Sequence, residues 1–423
     1  MRLSVHVSRC VEIKDVVFWR LCTTNPFVLF SSILFVSCVS WAERLHFLKK
    51  TGKSGPILSE RENDILALLE LMSVPHIGSQ RIRNLVSRFK SAGAALAASP
   101  RELVQINGID KTIARLIKTA IDRKFAETQL ELLHQANARI ITFWDKDYPP
   151  ALKNIYDPPA VLFVRGSLVN DDERGVAVVG TRSPSAYGKL MTEKLSRELA
   201  QNSITVISGL ARGVDTISHR VSLSAAGRTI AVLGSGVDVI YPNENSSLAE
   251  SIMENGALLS EFPMGSKPDA PHFPRRNRLI SGIGKGVIVV EAGLKSGALI
   301  TAHFAADQGR EVFAVPGNIN NPKSLGCNSL IQQGAKLICS IQDVLDELQF
   351  SSTGGNGSKN RLPDVSLSEA EKNLLDILTT EPLHIDQIAK TVGLPTYNAL
   401  AVLLSLELKN LVRQIPGKNF VRA

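Results

Sequence analysis

The chain is poor in cysteine. It has five in 423 residues, Cys10, Cys22, Cys38, Cys327 and Cys339, with no C-x-x-C pair and no Cys/His spacing suited to zinc. That argues against a zinc-bound or disulfide-stapled scaffold and leaves a reducing, metal-free protein as the simpler reading. Complete nucleotide motifs are missing too. Gly52-Lys53-Ser54 imitates the end of a P-loop, but Phe47 stands where the first glycine is required and no strand pattern precedes it. Gly234-Ser235-Gly236 begins like a dinucleotide fingerprint, yet Val239 replaces the third glycine and the motif is not in the first βα unit. Gly282, Gly284 and Gly286 precede a strand pattern rather than follow one. No cofactor is expected, NAD included.

A membrane span is also poorly supported. The apolar run from Pro26 to Ala42 is 17 residues, at the short limit for crossing a bilayer. Ser40-Trp41-Ala42 resembles a cleavage site, but the preceding segment carries Glu12 and Asp15, unlike a compact basic n-region. The favoured reading of residues 1–58 is an extension, poorly ordered or translated from an upstream start, ahead of a domain beginning near Leu58. Neither secretion nor anchoring is expected, which places the protein in the cytoplasm.

Net charge is scarce where a ligand site would be. Residues 72–125 hold ten basic against three acidic groups, whereas 126–365 hold 23 against 24 and 366–423 hold six of each. A polyanion site in the middle of the chain must therefore be a local cluster. Composition is otherwise that of a folded protein, with 44% hydrophobic and 21% charged residues.

The basic stretch lies in a helical module, residues 59–135. The turns Val74-Pro75-His76-Ile77-Gly78 and Ile106-Asn107-Gly108-Ile109-Asp110 each separate two helical patterns, resembling paired helix-hairpin-helix motifs of a SAM-like domain. Such turns let helix N-terminal N–H groups approach a phosphate. Two readings stand side by side: contact with DNA through Arg81, Arg83 and Lys111, or a helical bundle whose charged face meets water.

Residues 136–350 alternate short apolar runs with amphipathic segments: AVLFVRG, GVAVVG, ITVISG, RTIAVLG, ALLSE, GVIVVE and EVFAVPG. Continuous apolar strands between helices predict an α/β Rossmann-like parallel sheet covered on both faces, with ligand sites at the carboxyl ends of its strands. Glycines cluster there: Gly180; Gly209 and Gly213; Gly234 and Gly236; Gly293 and Gly297; and Gly317. Together they predict a phosphate-accepting rim, joined by Arg182, Ser183, Arg212, Lys295 and Ser296. The segment Pro271 to Arg278 reads as a loop bearing Phe273, Arg275, Arg276 and Arg278, cations for a backbone and a flat face for a base. The opposing reading has Phe273 capping the core while Arg276 and Arg278 pair with Glu261 or Glu291.

GTRSPSAYG from Gly180, SGLARGVDTISHR from Ser208, TIAVLGSGVDVIYPNEN from Thr229, HFPRRNRLISG from His272, EAGLKSGALITA from Glu291 and PGNINNPKSLGCNSLIQQGA from Pro316 follow one another in order. In these blocks the chain resembles the DNA-processing protein A family (DprA/Smf). The resemblance implies a non-enzymatic, single-stranded DNA-binding homodimer that protects incoming DNA and loads the recombinase RecA during natural transformation. Carried onto this chain, it implies phosphate contacts from Arg182 and Arg212, stacking by Phe273, and a groove lined by Arg276, Arg278 and Lys295. His303 stands where the family commonly has a basic residue.

The rival from a different class is a Rossmann-like nucleotide phosphoribohydrolase. Asp215 with His219 one helical turn later, or Glu291 at a strand end, could serve acid–base chemistry. That group's Pro-Gly-Gly-x-Gly-Thr signature is missing from Glu291 to Gly297.

Residues 351–365 read as a Ser/Gly-rich linker. Residues 366–423 read as a winged helix: Ser368 and Glu371 form a capping box, Gly393-Leu394-Pro395 turns between two helices, and Leu411 to Arg422 makes a hairpin around Pro416-Gly417. Its neutral balance and apolar recognition-helix position, Thr396 to Leu404, favour a protein-interaction or regulatory role over DNA contact.

Overall fold

A computed structural model of the protein describes residues 59–350, 368–378, 383–409, 411–415 and 417–422. The expected extension 1–58, the expected linker 351–365 and Pro416 of the hairpin turn lie outside the described residues. The described residues divide into two compact units, one over 59–350 and one over 368–422.

The first unit opens with six helices, α1 (Glu60–Ser73), α2 (Ser79–Phe89), α3 (Ala92–Ala97), α4 (Pro100–Leu103), α5 (Lys111–Thr119) and α6 (Arg123–Gln135). Ser59 starts α1 through a reciprocal cap: its N–H donates to the Glu62 carboxylate at 2.8 Å, and the Glu62 N–H donates back to Ser59 Oγ at 3.2 Å. The two glycine turns precede α2 and α5, and Gly108 has φ +84°, a conformation open to glycine at little cost. Arg81 joins the turns, donating to the Gly108 carbonyl at 2.7 Å and also to the His76 carbonyl. Arg83 reaches the Pro158 carbonyl and pairs with Asp157 at 3.4 Å. Both side chains are thus engaged within the fold, which weighs against their use as phosphate contacts.

Leu68, Leu69, Leu71, Leu85, Leu103 and Ile117 are fully buried among these helices, and the same apolar cluster runs on through Ile140, Phe163 and Met264 of the sheet region. Each contributes roughly 1.5–3 kcal/mol by burial. Gln129 of α6 pins the junction, donating to the Met264 carbonyl at 3.2 Å and accepting from its N–H at 2.7 Å.

The sheet has nine strands: β1 (Arg139–Thr142), β2 (Val161–Gly166), β3 (Val176–Val179), β4 (Val206–Ser208), β5 (Thr229–Val232), β6 (Gly256–Ser260), β7 (Gly286–Val289), β8 (Glu311–Ala314) and β9 (Lys336–Leu337). Their order is β1-β2-β6-β5-β4-β3-β7-β8-β9. From β6 to β9 all pairings are parallel, but β2 runs antiparallel to both neighbours. AVLFVRG therefore departs from the expected all-parallel arrangement. Residues 167–175, which connect β2 to β3, contain only a short 3-10 turn, Asn170–Arg174, too little for a helical crossover. Helices α7 (Pro150–Lys153), α8 (Ala186–Gln201), α9 (Val214–Ser224), α10 (Ser246–Glu254), α11 (His272–Ile283), α12 (Gly297–Asp307), α13 (Leu325–Gln332) and α14 (Ile341–Glu347) complete the unit.

The second unit is a winged helix. It comprises α15 (Glu369–Ile377), β10 (Leu383–His384), α16 (Ile385–Val392), α17 (Thr396–Leu408) and the β11 (Val412–Ile415)–β12 (Asn419–Arg422) ribbon. Its own core holds Leu374, Leu403, Leu406 and Phe420. The Glu371 carboxylate receives Lys409 Nζ and Ser405 Oγ, each at 2.7 Å, and with Ser368 these donors pull its pKa down to about 2. On α17, Tyr397, Leu400 and Leu404 are exposed, so the recognition-helix position presents the apolar surface expected of it. Among the described residues no helix is long and apolar enough to cross a membrane.

Candidate nucleic-acid interface

From β3 the chain continues sideways to β4, β5 and β6, while β7 returns to the other flank of β3. In a parallel sheet, such a reversal leaves a crevice beyond the strand ends because the connections diverge. A cleft of about 920 Å³ opens there. Its walls include Gly180, Thr181 and Arg182 after β3, Gly293 and Lys295 to Ala298 after β7, Phe273, Arg276 and Asn277 of α11, and Tyr241 and Lys323. The lining holds four cations, Arg182, Arg276, Lys295 and Lys323, and one carboxylate, Asp215. Helices α8, α9 and α12 begin at this rim because each follows a parallel strand, and their positive ends add to the field.

Segment 271–278 differs from expectation. It is no loop: from His272 it forms the first turns of α11, and the helical period sends its arginines in three directions. Arg275 is exposed, packs over the Phe262 ring and lies 3.6 Å from Glu261. Arg276 is buried, donating to the Gly209 and Val232 carbonyls beneath the Phe273 ring. Arg278 turns away from the cleft, bonds the buried Glu261 carboxylate and lies 3.9 Å from Asp157. The expectation that Arg278 lines the groove is thus corrected. A guanidinium this buried is stabilised by its carboxylate and is withheld from solvent.

Phe273 is half-buried. A Cβ on Gly234 would come within 2.9 Å of the Phe273 ring, Tyr241 lies 5.9 Å away at a 45° tilt, and the Arg182 and Arg276 guanidiniums lie over it at 5.8 and 5.9 Å. Ser183 is exposed, and its carbonyl accepts Lys323 Nζ at 2.6 Å. Ser296 caps α12, accepting the Ala298 N–H at 3.3 Å. Lys295 is exposed on the rim. Arg212, also exposed, is held by Glu244 at 2.9 and 3.1 Å, which raises the arginine's pKa and lowers that of the glutamate.

The glycine rim is narrower than expected. Gly180, Gly293 and Gly297 line the cleft. Gly209 sits against Arg276 and Asp215, Gly213 has φ +76° at the α9 cap, Gly234 and Gly236 are buried, and Gly317 packs on Ser324. These last make close packing possible rather than a phosphate seat. Tyr241, Asn277 and Lys323 were not singled out from the sequence. They sit inside the blocks that begin at Thr229, His272 and Pro316, but a strand-end pattern carries no signal for them.

The three candidate acid–base groups have other employment. Asp215 accepts N–H groups from Gly209 at 3.1 Å and Ala211 at 3.3 Å; burial pushes its pKa up while Arg276 opposes. Burial pushes Arg276 down to about 10, against Asp215. His219 is buried with Nδ1 2.6 Å from Thr229 Oγ1, whose hydroxyl donates to the Val206 carbonyl; burial and Arg276 push the imidazole down to about 3. Glu291 accepts the Ser185 N–H at 2.8 Å and its hydroxyl at 2.7 Å, fixing the start of α8.

Comparison with known proteins agrees with this layout. The family model of DNA recombination-mediator protein A matches residues 139–349, a SAM-like helix-hairpin-helix tandem matches 68–123, and a DprA winged helix domain matches 359–418. Protein Smf of Escherichia coli is 42% identical over 302 residues, 70% of this chain and 80% of that one. The DNA processing protein DprA of Bacillus subtilis is 45% identical over 242 residues, 56% of this chain and 82% of that one. The X-ray structure of DprA from Streptococcus pneumoniae superposes with a TM-score of 0.61 at 36% identity, covering 68% of this chain and 99% of that one. With the helical hairpins, the α/β sheet and the winged helix all matched in order, this chain belongs to the DNA recombination-mediator protein A family, DprA/Smf.

Proposed function

We propose that this protein binds single-stranded DNA in the cleft beyond the carboxyl ends of β3 and β7 and acts as a recombination mediator by binding rather than by catalysis. The observation that carries the reading is the exposed Arg182 guanidinium over the half-buried Phe273 ring, beside Lys295 and Lys323. A ring set inside a cleft can meet only a base that has left its partner strand, which selects the single strand. The cations and helix ends take the phosphates between bases. Asp215 and Glu291 are held by hydrogen bonds inside the fold, and His219 is fully buried with its Nδ1 on Thr229, so none is presented to a substrate as a ready acid or base. In this reading the protein acts in the cytoplasm as a homodimer, protecting incoming strands during natural transformation and loading RecA onto them. The winged helix supplies an apolar face for a protein partner.

The test is fluorescence anisotropy with oligo-dT and with a duplex of equal length, on wild type and Arg182→Ala. Preference for the single strand, weakened by the substitution, is expected. Equal affinity for both forms, unmoved by the substitution, overturns the reading, as does release of ribose phosphate from nucleoside monophosphates that Glu291→Gln abolishes.

A further inference from the structure

Two arginines share the Phe273 ring, and they are held very differently. Arg276 is fully engaged: its guanidinium donates to the Gly209 and Val232 carbonyls and to Asn277 Oδ1 at 3.2 Å, with Asp215 close by. Arg182 has no hydrogen-bond or ion-pair partner among the described residues and is exposed; what its guanidinium meets is the ring, 5.8 Å from the centroid. The two cations are also near enough that Arg182 helps to depress Arg276. The other neighbours of the ring, Gly234 below and Tyr241 beside it, belong to the packed β5 end and the loop after it. Of the two guanidiniums over the ring, Arg182 is therefore the one that can leave without breaking a hydrogen bond among the described residues.

Resting on the single-strand reading above, we infer that Arg182 and Phe273 form a coupled specificity device in which the cation masks the ring until a phosphate draws it off. The ligand class is then a polyanion carrying an unpaired planar base next to its phosphate. The phosphate replaces the ring as the partner of Arg182, and the base replaces Arg182 as the partner of the ring. A polyanion without bases takes the cation but leaves the ring bare, so it forfeits the cation–ring attraction and gains no stacking. The pair thus discriminates against other phosphate polymers without touching a base edge.

The coupling has a predictable sign. Each single substitution removes one interaction with the ligand but also removes the need to separate the pair, and the double substitution removes that need only once. Arg182→Ala with Phe273→Ala is therefore expected to bind oligo-dT about two- to fivefold more weakly than the product of the single effects. Phe273→Ala alone should weaken oligo-dT yet tighten an abasic phosphodiester strand of the same length by about two- to fivefold, since Arg182 is then free from the outset. A merely damaged site tightens nothing. Phe273→Leu, which keeps the volume and loses the aromatic face, repeats the measurement if the alanine variant does not fold. Additive or less than additive single effects, or an abasic strand bound no more tightly by the variant, overturn the inference while the single-strand reading stands. Failure of the wild type to bind oligo-dT overturns that reading itself.

Discussion

Glu291 accepts two hydrogen bonds from Ser185, one from its N–H at 2.8 Å and one from its hydroxyl at 2.7 Å, so a carboxylate at the end of β7 fixes the first turn of α8 across the cleft. Both oxygens are committed, and the group is buried. Glu291→Gln keeps one acceptor and loses the charge. The expected result is a stability loss of about 1–3 kcal/mol in urea denaturation, with weaker DNA binding, because the α8 start carries Arg182 on its approach. An unchanged midpoint would contradict this role.

Gly234 lies under Phe273, and a Cβ there would stand 2.9 Å from ring Cδ1 and 3.1 Å from Cε1. Gly234→Ala must push the ring aside. Oligo-dT affinity should fall about tenfold, the worth of one stacked base, with circular dichroism unchanged.

The buried Arg278–Glu261 pair is structural. Burial raises the Glu261 pKa against the pull of Arg278 and Arg275, so Arg278→Ala leaves the buried carboxylate with only the exposed Arg275 at 3.6 Å and should cost about 3 kcal/mol in urea denaturation. Replacing both partners, Arg278→Met with Glu261→Leu, should restore much of that stability. Neither variant should alter the salt dependence of DNA binding, whereas Arg182→Ala should reduce its slope by about 0.7 for each phosphate left without its cation. A lower slope in Arg278→Ala would return this arginine to the groove.

His219 titrates near pH 3 in the folded protein because burial and Arg276 oppose its charge, whereas an unfolded histidine titrates near 6.5. Between these values the unfolded chain binds the extra proton, so the His219 contribution to stability is present above about pH 6.5 and is lost progressively as pH falls toward 3. His219→Gln should flatten that part of the stability profile, measured by denaturant midpoints from about pH 4 to about pH 7. Parallel profiles for variant and wild type would refute the assignment.

The legible parts of this protein are those that short-range chemistry determines. Apolar runs bounded by glycine announced β2 to β8, because a strand buried on both faces admits little else. The capping box at Ser368 and the turns before α2 and α5 follow from backbone donors that need nearby acceptors. β1 and β9 carry no such signal: each is a short edge strand recruited by its neighbour, and β9 has two residues and almost no pattern of its own.

Which cation faces the ligand was another matter. Arg275, Arg276 and Arg278 are near neighbours in sequence and alike in chemistry, yet one is exposed beside Glu261, one lies under Phe273 and one is buried on Glu261 and Asp157. The amino-acid sequence by itself determined that an α/β sheet would carry glycine-rich strand ends and arginines near them. Only the tertiary structure decided their roles, because a helix turns about 100° per residue and the partners, Gly209, Val232, Glu261 and Asp157, come from strands and loops distant in the chain.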